Sequence, residues 1–104
     1  MGVNGLMMQM PLLVSTLLEH AERHHKETEV VSRRTEGDLH RTTLKEIASR
    51  SRRLASALTK IGVQEGENVA TMAWNNYRHL EIYYAVSGMG AVTHTLNPRY
   101  SPQQ

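Results

Sequence analysis

Two short apolar runs, Val69–Trp74 and Ala91–Leu96, flank a segment with helical rather than strand periodicity, and this succession constrains the fold most. Val69, Ala70, Met72, Ala73 and Trp74 leave little polar alternation, which predicts a strand covered on both faces, as in parallel sheets. Between the runs, Leu80, Tyr83, Tyr84 and Ala85, with Val86 alongside, recur at helical spacing. Asn75 and Asn76 offer N-caps, and Gly88 and Gly90 end the segment. Strand, helix and strand within about 30 residues make a βαβ unit, so parallel strands with a right-handed crossover are expected.

Upstream, Glu29–Arg34 reads as a strand centred on Val30 and Val31, and Leu39–Thr42 as its return. Thr35-Glu36-Gly37-Asp38 supplies turn chemistry, so the two form a hairpin. Thr43 and Glu46 then form a capping box. Behind it Leu44, Ile47, Ala48, Ser51, Leu54, Ala55, Leu58 and Ile61 make a helical stripe, closed by Gly62. Leu54 and Leu58 are expected in the core. Earlier still, Thr16 and Glu19 read as a capping box for a short helix with Val14, Leu17, Leu18 and Ala21 on one side. The fold class is α/β: a β-hairpin and helix leading into a βαβ parallel-sheet unit.

Residues 1–10 read as a flexible Met-rich arm, and 11–104 as the beginning of one domain. The apolar stretch Leu6–Leu18 lacks a basic flank and a small-residue cleavage site, and is too short to span a bilayer. Position six is Leu6, where a myristoylation signal needs Ser or Thr. Ser101-Pro102 is an N-cap followed by Pro at the first helical position, so a helix is expected to open there. A chain stopping on a helix start is expected to be part of a longer one.

There is no cysteine, which excludes disulfides, thiolate nucleophiles and Cys-based zinc sites and fits a cytoplasmic protein. A formal net charge of +2 without a reading motif argues against nucleic acid as a partner. His20 and His24 share a helix face, but Glu22 is one residue late for a zincin and no third ligand is evident, so no metal site is assigned. Gly88-Met89-Gly90 ends a helix instead of opening one, with Thr93 where a third glycine would stand, so it is no dinucleotide fingerprint. Lys45, Arg50, Arg52, Arg53 and Lys60 lie off the helix stripe and read either as a phosphate-binding face or as a solvated surface. No catalytic constellation can be assembled, so no catalytic residue is named.

Three stretches carry a resemblance: Gly-Glu-Asn-Val-Ala-Thr-Met-Ala-Trp-Asn (Gly66–Asn75), Arg-His-Leu-Glu-Ile-Tyr-Tyr-Ala-Val (Arg78–Val86) and Gly-Met-Gly-Ala-Val-Thr-His-Thr-Leu-Asn-Pro-Arg (Gly88–Arg99). With Glu29–Arg34 and His40–Thr43, the chain from Pro11 onward resembles the medium- and long-chain fatty-acid CoA ligases of the adenylate-forming superfamily. The resemblance implies a parent enzyme using ATP, Mg and CoA to turn a fatty acid into acyl-CoA through an acyl-adenylate. The phosphate loop, ribose-binding aspartate and mobile lysine of that family are expected downstream, so this chain alone is expected to be inactive and to bind none of these ligands tightly. A freestanding interaction module derived from the ligase start is the alternative. A homo-oligomeric contact through the arm is a further expectation. The resemblance places the loop Asn97-Pro98-Arg99 near the CoA nucleotide, where Arg99 pairs with a phosphate; the plainer reading is a turn that ends a strand.

Overall fold

The computed structural model describes residues 11–103. The Met-rich arm and Gln104 lie outside the described residues. The elements run α1 (Val14–His24), β1 (Glu29–Arg33), β2 (Leu39–Thr43), α2 (Leu44–Lys60), β3 (Asn68–Met72), α3 (Tyr77–Gly88) and β4 (Val92–Leu96). β1 and β2 pair antiparallel from Glu29↔Thr43 to Arg33↔Leu39. β3 and β4 pair parallel from Asn68↔Val92 to Met72↔Leu96, with α3 as the crossover. The α/β hairpin–helix–βαβ order expected from the sequence is the one observed.

Local signals fix most of the ends. Thr43 Oγ1 accepts from the Glu46 amide at 3.3 Å and starts α2. The reciprocal half of the capping box is absent, because the Glu46 carboxylate turns to Arg53. At the other end Gly62 sits at φ +106, its N–H bonds Thr59 O, and Val63 N–H bonds Leu58 O. α3 ends the same way, with Gly90 at φ +83 and bonds from Gly90 to Ser87 and from Ala91 to Val86. Both are Schellman closures, which need a left-handed residue that only glycine adopts freely.

α1 departs from expectation. It starts at Val14 with no side-chain cap, which puts Thr16 inside the first turn, its N–H bonded to Leu13 O at 3.1 Å. Of its apolar stripe Leu18 is buried, while Val14 and Leu17 are exposed. Ser101-Pro102 leads into a turn among the described residues, not a helix.

The core gathers Leu18, Ile47, Ala48 and Tyr77, with Val30, Leu80 and Tyr84 packed against it. It therefore sits under the first half of α2, where α1, α3 and the hairpin converge. Leu54 and Leu58, expected in the core, are only half-buried, and Ile61 is exposed. The second half of α2 runs past the elements that cover the first.

The parallel pair corrects a second expectation. β3 alternates: Thr71 is buried and Val69 half-buried, whereas Asn68, Ala70 and Met72 are exposed. Successive strand side chains point to opposite faces, and α3 covers one face only. Ala91 and Trp74 fall outside the strands.

Candidate functional site

Because β3 and β4 are parallel, their carboxyl ends emerge together beyond Met72 and Leu96. Such strand ends are where open α/β sheets place ligands. Two loops leave this edge, Ala73–Asn76 toward α3 and Asn97–Tyr100 from β4.

The second loop is tightly turned. Asn97 Oδ1 accepts from the Arg99 amide at 2.9 Å, and Asn97 O accepts from the Tyr100 amide at 3.1 Å. Pro98 has no N–H to place, which suits this position. The Arg99 guanidinium lies 5.6 Å from the centroid of the Trp74 ring. Trp74, Arg99 and Tyr100 are all exposed, so the edge presents an aromatic ring carrying a cation. At an exposed site such a stack contributes about 0.5–1 kcal/mol. The first loop is anchored by Asn76, whose Oδ1 accepts from the His79 amide at 3.1 Å and caps α3. His79 is buried, its Nε2 3.2 Å from Thr71 Oγ1 and its ring 5.0 Å from that of Tyr83.

Asn97, Pro98 and Arg99 thus share one turn, and the structure adds Trp74 to them. Sequence reading missed Trp74 because the apolar run from Val69 made it the last residue of a strand. The available signal was Asn75-Asn76 directly after it, which marks a loop. The arrangement can hold an anion or a planar group. It contains no nucleophile paired with a base.

The three arginines of α2 are drawn into ion pairs. Arg52 makes a bidentate pair with Glu22 of α1, both bonds 2.6 Å. Arg50 Nε donates to Glu81 of α3 at 2.7 Å. Arg53 reaches Glu46 at 3.5 Å. The hydrogen bonds from Arg52 hold the Glu22 carboxyl below the usual range, so the zincin-like glutamate is already engaged. The rings of His20 and His24 lie 4.8 Å apart and those of His20 and His25 5.5 Å apart. Among the described residues no three His, Asp or Glu side chains form a group that could hold a metal. Arg99 is an exposed cation at the strand ends, free in geometry to meet an anion.

The fold is that of the amino-terminal part of adenylate-forming enzymes. A Mycobacterium tuberculosis fatty acyl CoA synthetase, for example, superposes with a TM-score of 0.73 over 86% of this chain and 17% of that one, at 21% identity. The chain belongs to the AMP-binding enzyme family, whose model matches residues 17–104. A 3-methylmercaptopropionyl-CoA ligase of Ruegeria lacuscaerulensis is 56% identical over 96% of this chain and 19% of its own length. A medium-chain-fatty-acid–CoA ligase of Ectopseudomonas oleovorans is 52% identical over the same shares. The chain spans about a fifth of the length of the curated relatives it matches.

Proposed function

We propose that this chain opens the N-terminal domain of a cytoplasmic, ATP-dependent fatty-acid CoA ligase, with residues 1–10 as an arm and 11–104 as the start of the domain. The observation that supports it is identity above one half, across 100 residues, to ligases that join acyl groups to CoA. In this reaction a carboxylate oxygen of the fatty acid attacks the α-phosphorus of ATP, and the bond to pyrophosphate breaks. The CoA sulfur then attacks the acyl carbon, and AMP leaves with the bonding pair of the mixed anhydride. Magnesium would neutralise the phosphates. The part assigned to this chain is scaffold plus one contact: Arg99, held by the Asn97-Pro98 turn and the Trp74 ring, pairs with a CoA phosphate. Among the described residues no helix is long and apolar enough to cross a membrane.

The test is acid-dependent pyrophosphate exchange and CoA thioester formation by the protein of the complete reading frame. Carboxylic acids from 3-methylmercaptopropionate to long-chain fatty acids are the substrates. Turnover with medium or long chains is expected. Background exchange with every acid sinks the ligase assignment, and preference for the thioether acid removes the fatty-acid one. Arg99→Ala is expected to raise KM for CoA severalfold while leaving adenylation unchanged; an unchanged KM returns the loop to a plain turn. The 104-residue chain alone is expected to give background exchange.

A further inference from the structure

A groove lies between α2 and α3, built from residues other than those of the strand-end loop. Arg50, Arg53, Leu54, Arg78, Glu81 and Ile82 line a groove of about 440 Å³. Arg50 and Arg53 are three residues apart on α2 and therefore neighbours on its surface. Arg78 faces them from the first turn of α3. One carboxylate, Glu81, enters the lining; it is 5% exposed and is bonded by Arg50 Nε. A guanidinium carries five N–H donors, so Arg50 keeps four on its terminal amines. Arg53 has only the 3.5 Å contact to Glu46, at the outer limit of a hydrogen bond, and its side chain is 67% exposed.

Two of the guanidiniums have further partners outside the lining. Arg78 donates to both Glu36 oxygens, at 3.3 and 3.0 Å. Its guanidinium also lies 5.3 Å from the Tyr77 ring, and that of Arg50 lies 6.0 Å from the same buried ring. Two of the three cations are thus fixed by packing before any ligand arrives, which reduces the ordering cost of binding. Leu54 and Ile82, both half-buried, give the groove apolar walls. Glu81 is the one carboxylate in the lining, while Glu36 and Glu46 pair with Arg78 and Arg53 from outside it, so the donors left for a ligand are chiefly those of Arg50 and Arg53.

We propose that this groove binds an organic phosphate, its phosphoryl oxygens on Arg50, Arg53 and Arg78 and its carbon skeleton against Leu54 and Ile82. Planar guanidinium forks match phosphate oxygens in pairs, and a phosphoryl group has enough oxygens to share among the donors these arginines keep. The apolar walls favour an alkyl or acyl ester over the free ion.

Hydrogen exchange on the intact protein, with butyl phosphate as the probe, reads the site directly. Saturable protection is expected in peptides covering Arg50–Leu58 and Arg78–Val86. The apparent affinity is expected to fall about tenfold in Arg53→Glu, through loss of a charge-assisted pair and a reversed charge. Arg53 is loosely paired and exposed, so this variant keeps its fold, and ligase activity serves as the control for that. Inorganic phosphate is expected to bind more weakly than butyl phosphate. Co-sedimentation with phosphatidylcholine vesicles containing phosphatidic acid separates a lipid headgroup from a free metabolite. Arg53-sensitive binding in either arm supports the site and names its source. Absence of protection and of vesicle binding, or binding indifferent to Arg53→Glu, overturns it.

Discussion

The two small sheets meet different conditions. The antiparallel pair β1–β2 is tied into the body of the protein: Ser32 Oγ accepts from the Tyr77 amide at 3.0 Å, Glu36 pairs with Arg78, and His40 stacks on Tyr77 with ring centroids 3.8 Å apart. Its turn is braced by Arg34, which donates twice to Asp38 at 2.9 and 2.7 Å. The parallel pair β3–β4 is covered by α3 on one face, while Met72 and Val92 remain exposed. The difference shows that a hairpin and the helices beside it can satisfy each other locally. A βαβ unit supplies only one covering layer of the two that a parallel sheet uses.

The sharpest test of this contrast is a pair of truncations followed by urea unfolding. Ile47→Ala, at a fully buried site beside the hairpin, is expected to cost about 2–5 kcal/mol. Val92→Ala, on the exposed face of β4, is expected to stay within about 0.5 kcal/mol. Equal costs would mean that the parallel pair is as well covered as the hairpin side. Next comes Arg50→Ala, which leaves the Glu81 carboxylate nearly buried and without its bonded partner. A loss of about 1–3 kcal/mol is expected, below the figure for a fully buried pair because Arg50 is half exposed to water. Asn76→Ala removes the α3 cap and should cost about 1 kcal/mol, measured by the same unfolding curve. The smallest effect concerns the hairpin clamp. The hydrogen bonds from Arg78 lower the Glu36 pKa from its usual 4.5 to about 2. A depressed carboxyl stabilises the fold above its unfolded value and loses that contribution as pH falls through the folded one. The melting temperature of Glu36→Gln should therefore fall less steeply than wild type between pH 4.5 and 2. Parallel slopes would remove Glu36–Arg78 from the hairpin's fastening.

What could be read from the sequence was what depends on near neighbours. Thr43 and Asn76 as caps, Gly37 in the hairpin turn, and Gly62 and Gly90 as helix stops all act within a few residues of themselves. The partners of Arg50 and Arg52 could not be read, since Glu81 and Glu22 reach them only after the helices pack. The same holds for Leu54 and Leu58: their stripe spacing was right, but which half of α2 is covered depends on where α1 and the hairpin end. In the candidate site, the Asn97-Pro98-Arg99 turn was legible from residue types. Trp74 was not, because composition alone could not say that β3 stops at Met72. The Thr16–Glu19 box misled because the chain becomes helical at Val14, before that signal begins.

The register of the two ladders carries a kinetic consequence. In the hairpin, paired residues close in from Glu29 and Thr43 to Arg33 and Leu39, so the last pair spans only a short turn. In the parallel pair every partner is as far apart along the chain as Asn68 is from Val92. Non-local pairing waits until the loop-closure entropy has been met, whereas hairpins zip from their turns within microseconds. The folding nucleus is therefore expected at the hairpin and the start of α2, with β3 and β4 joining only after α3 has formed between them. Pulse-labelled hydrogen exchange during refolding should protect the amides of Ser32 and His40 before those of Thr71 and His94. Simultaneous protection would mean that the chain condenses as one unit.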